Sequence, residues 1–149
     1  MKYASIVPLI GGETIAMQNI LNKKPEYILS YEDFKANDFN LVEYYKGKVP
    51  YHLVGDGRVP DLPSVDVINT VCPCAGLSSL NPSASSDAAI NDWMPTTASL
   101  VLGKLKPQVF WGENAPRFAS QAGEPVRENL RRIGRENGYV FSVYKTKSI

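Results

Sequence analysis

Short strand-like runs alternate along the chain with longer segments of helical spacing, and this alternation limits the possible folds more than any other feature. The apolar runs end at small or acidic residues, as strands do before a loop. Such alternation is typical of βαβ units, in which crossover helices join parallel strands. The sequence therefore predicts an α/β fold with a doubly wound, mainly parallel Rossmann-like sheet. The predicted strands span residues 3–10, 27–31, 51–54, 64–71, 107–112 and 139–144, and the predicted helices span 13–22, 34–45, 93–105 and 125–136.

The size and composition of the chain are those of an ordinary globular domain. It has 149 residues, 44% hydrophobic and 21% charged, which excludes a disordered chain, a collagen-like fibre and a disulfide-rich mini-protein. We expect one domain over residues 1–149. No apolar stretch approaches the ~20 residues that span a bilayer, so we expect a soluble intracellular protein with no membrane partner. The net charge of +1 gives no overall sign of a polyanionic partner.

Cysteine and histidine are too few to suggest a metal site. The two cysteines, Cys72 and Cys74, have one residue between them, which disfavours a structural disulfide. We expect Cys72 to face the core. The one histidine, His52, is expected to be an ordinary strand residue, with a catalytic role as the alternative. The sequence therefore predicts no bound metal.

Distinctive residues follow five of the predicted strands. They are Gly11-Gly12, Glu32, Asp56, Cys74 and Glu113, in chain order. Because ligands of parallel α/β sheets bind beyond the carboxyl ends of the strands, we expect these residues to converge on one binding site.

The glycine pair after the first strand fits a cofactor that lies across the N-terminus of the next helix. Glu32 follows Gly12 by about 20 residues, the spacing expected for an acid that binds ribose hydroxyls. The full G-x-G-x-x-G fingerprint is absent, which favours a nucleoside cofactor without a pyrophosphate. A plain tight turn is the alternative interpretation of Gly11-Gly12.

Cys74 and Glu113 are the candidates for chemistry. Cys74 lies between Pro73 and a run of small residues, so that a nearby cation or helix N-terminus would favour its nucleophilic thiolate. A buried structural cysteine is the alternative. Glu113 ends the fifth strand, where a buried carboxyl can hold a proton or bind an amidine-like ring edge. A helix cap or an ion pair is the alternative for Glu113.

Four arginines cluster on the last predicted helix, off the apolar face formed by Val126, Leu130 and Ile133. We expect a solvated helix face, and contact with nucleic-acid phosphates is the alternative. The four are Arg127, Arg131, Arg132 and Arg135.

Together these residues resemble the DNA (cytosine-5) methyltransferases. The segment from Asp66-Val67 through Pro73-Cys74-Ala75-Gly76-Leu77-Ser78 is similar to that family's nucleophile segment, and Glu113-Asn114-Ala115 is similar to its Glu-Asn-Val motif. The separation of these two segments is also similar. The resemblance spans essentially all 149 residues and adds three segments, namely Leu9-Ile10-Gly11-Gly12 (the cofactor turn), Ser30-Tyr31-Glu32 (the ribose acid) and Gly55-Asp56 (the adenine contact).

The resemblance implies transfer of a methyl group from S-adenosylmethionine to carbon 5 of cytosine in double-stranded DNA, without a metal. Cys74 would add to carbon 6 of a flipped cytosine, Glu113 would hydrogen-bond ring nitrogen 3, and Asn114 would help to place the nucleophile's loop. The loop at 78–92 would close over the flipped nucleotide. The implied cofactor-binding residues are Leu9, Ile10, Gly11, Gly12, Glu32, Asp33, Asp56, Gly57, Pro73 and Met94.

The chain departs from the family's pattern at several positions. Leu9 stands where the turn has its first glycine, Ala75 where a glutamine follows the nucleophile, and Asp33 where a bulky side chain often stacks on adenine. The family's Gln-x-Arg-x-Arg segment, target-recognition domain and C-terminal helix do not appear. The sequence therefore suggests the N-terminal part of a bacterial or phage catalytic domain, of the kind used in DNA methylation and restriction–modification. We expect the chain by itself to be a weak cofactor binder and inactive.

Two other function classes stay open. A non-catalytic or split subunit would need a complementary C-terminal chain before activity appears. A Rossmann-like oxidoreductase would use Cys72 and Cys74 as a redox pair and would bind nicotinamide or flavin, which the missing glycine fingerprint disfavours.

Overall fold

The computed structural model of the chain describes residues 1–55, 58–73 and 93–147, and these residues build a five-stranded sheet flanked by helices. Its strands are β1 (Tyr3–Ile6), β2 (Ile28–Ser30), β3 (Tyr51–Leu53), β4 (Val67–Thr70) and β5 (Val109–Gly112), and its α-helices are α1 (Gly12–Leu21), α2 (Phe39–Tyr44), α3 (Trp93–Leu100) and α4 (Glu124–Glu136). The strand order is β3-β2-β1-β4-β5, and every neighbouring pair is parallel. This order reverses direction between β1 and β4, as in Rossmann-like folds. The predicted α/β class is therefore confirmed.

The central strands are buried, which explains their continuous apolar sequences. All residues of β1 and β2 are buried, and Ile68 in β4 is fully buried. The edge strand β5 is mostly exposed. Parallel strands place their carboxyl ends at the same edge of a sheet, so the loops after β1 and β2 start from buried strands at one edge.

The helix α2 covers the β2 side of the sheet through a small apolar cluster. Tyr45 Oη also donates to Gln18 Oε1 at 2.6 Å, which ties the end of α2 to α1. The cluster contains Ile28, Leu41, Tyr45 and Val49, with Ile15 and Tyr51 packed against it.

The chain divides into two compact units. The first, Met1–Cys72 with Leu105–Glu113, holds the whole sheet together with α1 and α2. The second, Pro73–Lys104 with Asn114–Ile149, contains α3 and α4, which pack against each other. In α4 the residues Val126, Leu130 and Ile133 are buried, so the predicted apolar face is confirmed.

Two short 3-10 turns, Pro116–Ala119 and Gln121–Gly123, lead into α4 and are held there by one arginine. Arg127 Nη1 donates to the carbonyl oxygens of Phe118 and, at 2.6 Å, of Ser120. Gly123 is required at its position because a Cβ there would overlap the Phe118 carbonyl oxygen. This arrangement fixes how the chain after β5 enters α4.

The predicted sixth strand at 139–144 is wrong. Residues 139–147 have no regular secondary structure, and Val140 and Tyr144 are 94% and 83% exposed. Alternating aromatic and β-branched residues favour a strand only where a sheet edge accepts their backbone hydrogen bonds, and no described residue pairs with this segment.

The second predicted helix, at 34–45, is interrupted. A 3-10 turn spans Glu32–Phe34, and α2 begins only at Phe39. Between them the chain turns so that Asp38 is completely buried. Its carboxylate accepts hydrogen bonds from Leu9 and Tyr51. None of the helices in the described parts of the chain is long and apolar enough to cross a membrane.

Candidate functional site

The carboxyl edge of the sheet brings together several of the predicted site residues within the first unit. Gly11-Gly12 follows β1, Glu32 follows β2, and Glu113 comes directly after β5. These three positions therefore lie at the same edge of the sheet, and their convergence on one binding site stays a prediction. Asp56, Gly57 and Cys74, which the sequence also assigns to the site, lie outside the described residues.

The turn between β1 and α1 has an unusual backbone. Val7, Leu9 and Gly11 have φ values of 50°, 52° and 89°, in the left-handed region that non-glycine residues rarely adopt. A Cβ at Gly11 would lie 2.5 Å from Leu41 Cδ1, so only glycine fits between the turn and α2. Ile10, at the tip, is 77% exposed. A backbone held in this way is common at ligand sites.

The Asp38 side chain stabilises this turn through a hydrogen bond. Its carboxylate accepts the Leu9 backbone N–H at 2.9 Å and the Tyr51 hydroxyl at 2.7 Å. Burial raises the pKa of Asp38, and the hydrogen bonds from Tyr51 and Leu9 oppose that rise. Leu9 stands where the resembling family has a glycine, and here its left-handed conformation is stabilised by a buried carboxylate.

Glu32 and Asp33 are exposed in the 3-10 turn that follows β2. Their neighbours Tyr31 and Phe34 are buried and contact each other edge to face, with ring centroids 6.3 Å apart. The aromatic pair anchors the turn, while the two carboxylates stay accessible to a ligand.

A chain of polar side chains crosses the sheet beneath α1. Ser5 and Asn69 are paired in register across β1 and β4, and the Ser5 hydroxyl donates to Asn69 Oδ1 at 2.6 Å. Because the Ser5 proton is committed to that bond, the 2.9 Å contact between Thr14 Oγ1 and Ser5 Oγ has Thr14 as its donor. All three residues are completely buried. Because Asn69 Oδ1 accepts from Ser5, the NH₂ group of the Asn69 amide faces Glu13.

Glu13, in the first turn of α1, is the functional candidate that the sequence analysis missed. Burial raises the pKa of this carboxyl to about 7, the Asn69 amide lowers it, and the negative charge of Glu113 raises it. Glu13 Oε2 and Asn69 Nδ2 are buried, and neither has a hydrogen-bond partner within 3.5 Å among the described residues. Such atoms are uncommon in folded proteins and cost free energy unless a ligand or water satisfies them.

The expectation that Glu113 is a buried carboxyl is wrong, because Glu113 is exposed at the end of an exposed edge strand. The partly buried carboxyl at this edge is Glu13. The signal that could have revealed it is the polar trio Ser5, Thr14 and Asn69 at positions that the hydrophobic pattern assigns to the core.

In the second unit, two predicted site residues contact each other. The Asn114 amide donates to the Met94 sulfur near the start of α3, and Asn114 Oδ1 accepts the Ala115 backbone N–H at 2.8 Å. Asn114 therefore holds the chain after β5 to α3. Pro73, between Cys72 and the residues that are not described, is half-buried.

The remaining expectations concern Cys72, His52 and the arginines. Cys72 is buried, as predicted, with its sulfur 3.2 Å from Thr70 Oγ1. His52 lies within β3. Arg131 and Arg132 form exposed ion pairs with glutamates of the same helix, which agrees with a solvated face. Arg127 differs because its side chain is only 12% exposed and stabilises the turns before α4.

Among the described residues, no group of three or more histidine, cysteine, aspartate or glutamate side chains is arranged to hold a metal ion. No protein-family model matches the sequence, and no curated protein matches it.

Proposed function

We propose that the chain is the cofactor-binding and catalytic part of a DNA (cytosine-5) methyltransferase with the S-adenosylmethionine-dependent methyltransferase fold. The observation that carries this proposal is the position of the glycine turn, Glu32 and Glu113 at one edge of a sheet with the order β3-β2-β1-β4-β5. These are the segments whose sequences resemble the family's cofactor turn, ribose acid and catalytic glutamate.

The residues at this edge fit a nucleoside cofactor. Gly12 has open space where a Cβ would stand, and α1 begins without a side-chain cap, so no capping side chain accepts from its first N–H groups. The exposed carboxylate of Glu32 suits the two hydroxyls of a ribose. Leu9, Ile10 and Asp33 border the same loops, and we assign Met94, Pro73, Asp56 and Gly57 to the remainder of the cofactor site by resemblance.

S-adenosylmethionine, when bound, supplies an activated methyl group. The chain's own residues prepare the acceptor. Cys74 adds to carbon 6 of the cytosine, Glu113 holds a proton at ring nitrogen 3, and carbon 5 thereby becomes nucleophilic. After carbon 5 has taken the methyl group and S-adenosylhomocysteine is left, a water molecule acting as base would accept the carbon 5 proton while the bond between carbon 6 and sulfur breaks, which returns Cys74 as a thiolate and restores the aromatic ring. The exposed position of Glu113 is compatible with access to a large substrate.

The reaction requires a base outside the helical stack, because both faces of a stacked cytosine are covered. Double-stranded DNA with a flipped cytosine is therefore the proposed partner. Asn114 has a positioning role in this scheme, since its contact with Met94 holds the residues after Glu113.

Calorimetric titration with S-adenosylhomocysteine tests the cofactor site. We expect wild-type protein to bind with a Kd in roughly the micromolar range, and Glu32→Ala to bind at least about tenfold more weakly because the ribose loses a charge-assisted hydrogen bond. Glu43→Ala, at an exposed position on α2, is the matched control and should bind like wild type. Absence of heat with the folded wild-type protein, or equal binding by Glu32→Ala, would contradict the proposal.

A further inference from the structure

Glu13 and Asn69 belong to none of the sequence motifs and have no part in the proposed reaction. Asn69 is completely buried, and its Nδ2 has no partner within 3.5 Å among the described residues. Its orientation is imposed by the hydrogen bonds from Thr14 to Ser5 and from Ser5 to Asn69. The amide is thus a fixed donor beside a carboxyl that has one buried, unsatisfied oxygen. A polar pair built in this way is suited to a ligand that brings its own charge.

We infer that Glu13, beside the buried Asn69 amide, is the counter-ion for the sulfonium centre of S-adenosylmethionine, and that it makes the site prefer this cation to the neutral thioether product. The inference rests on the proposed function and adds a specificity-determining residue to it.

In the proposed complex, the strand order would put the sulfonium near Glu13. The ribose acid Glu32 follows β2 and Glu113 follows β5, with β1 and β4 between them. Neighbouring strands are about 4.8 Å apart, so the two residues are separated by about 14 Å across the sheet. In the proposed complex the sulfonium lies between the ribose and the reacting base. That position is above β1 and β4, where Ser5 and Asn69 pair in register and where α1 presents Glu13.

The negative charge of an ionised Glu13 favours a cationic ligand over a neutral one. Glu13 is half-buried, so its interaction with a nearby charge is less screened than that of a surface carboxylate. Glu113, at the end of β5, is the other titratable group that acts on Glu13 among the described residues, and its charge has the same sign. A bound sulfonium relieves the repulsion between these two carboxylates, which a thioether cannot do.

The preference for S-adenosylmethionine over the thioether should depend on pH. Because burial raises the pKa of Glu13 to about 7, the carboxyl is mostly ionised at pH 8 and mostly protonated at pH 6. The attraction for a cation is therefore present at pH 8 and is lost as the pH falls. The sulfonium lowers the pKa of the ligand's own ammonium group relative to that of the thioether, so the titration of each free ligand is measured separately and subtracted from the ratio of the two affinities.

The experiment measures the Kd of S-adenosylmethionine and of S-adenosylhomocysteine by calorimetry at pH 8 and pH 6. In wild-type protein we expect the preference for S-adenosylmethionine to fall about fivefold from pH 8 to pH 6. Glu13→Gln, which keeps the size of the side chain, should reduce the preference at pH 8 by about fivefold to tenfold and abolish its pH dependence. Glu43→Gln, on the exposed side of α2, should behave like wild type.

The outcomes separate the two proposals. Binding of both ligands with a preference that neither pH nor Glu13→Gln changes would overturn the counter-ion role and leave the proposed function standing. Binding of neither ligand to folded wild-type protein would overturn both. Since the wild-type pH series uses no variant, poor folding of Glu13→Gln would still leave a decisive measurement.

Discussion

At the scale of single residues, the β1–α1 turn shows how two adjacent glycines can have different importance. Gly11 has a left-handed backbone and lies against Leu41, whereas Gly12 has an ordinary backbone and no atom within 4 Å of a built Cβ. The sequence presents them as an equivalent pair. In the structure, the backbone conformation requires glycine at Gly11. Gly12 instead leaves open space that a ligand can occupy.

Replacing Gly11 by alanine should therefore destabilise the protein. The left-handed backbone and the overlap with Leu41 Cδ1 together should lower the free energy of unfolding by about 2–4 kcal/mol. Urea denaturation followed by circular dichroism measures this change. Gly12→Ala is the control and should change stability by less than about 1 kcal/mol, because alanine is tolerated at the first position of a helix. Equal effects of the two substitutions would refute this account of the turn.

At the scale of secondary-structure elements, α4 combines a buried face with arginines of two kinds. Arg131 and Arg132 are paired in solvent with glutamates one turn away, which contributes little to stability. Arg127 instead donates to two backbone carbonyl groups of the preceding turns. The sequence shows four similar arginines because charge spacing alone does not reveal which side chain folds back over the chain before the helix.

We expect Arg127→Ala to destabilise the second unit by about 1–3 kcal/mol, because the Phe118 and Ser120 carbonyl oxygens lose a charged donor while partly buried. Arg132→Ala, which removes one exposed ion pair, should cost less than about 0.5 kcal/mol. Thermal melts monitored by circular dichroism compare the two variants. A larger loss for Arg132→Ala than for Arg127→Ala would show that the turns before α4 do not depend on Arg127.

At the scale of the whole molecule, the strand and helix periodicities were sufficient to predict an α/β fold and five of its strands. The predicted strand at 139–144 failed because strand formation depends on a partner edge, which local composition does not encode. The predicted helix at 34–45 was right only for its second half, because Asp38 forms hydrogen bonds with Leu9 and Tyr51, which are distant in sequence. Glu13 was missed for the same reason, since an acid in the first turn of a helix is ordinary until the packing of the helix buries it.

Hydrogen exchange measured by mass spectrometry should reproduce this organisation. Amides of β1 and β4 lie in the buried centre of the sheet and should exchange most slowly. Residues 142–147 are exposed and without regular secondary structure, so their amides should exchange within seconds. Peptides from α4 serve as an internal reference with intermediate protection. Protection of 142–147 equal to that of β4 would indicate a sixth strand in solution.

The position of Trp111 has an optical consequence. Trp111 is the register partner of Asn69 and lies two residues before Glu113 on β5, so its indole shares the sheet face that carries Asn69. It is 38% exposed, and the only other tryptophan of the chain is Trp93. A Trp93→Phe background would leave a single tryptophan, on the sheet face that carries Asn69. Its emission would then provide a built-in, label-free signal for any ligand that enters this edge of the sheet.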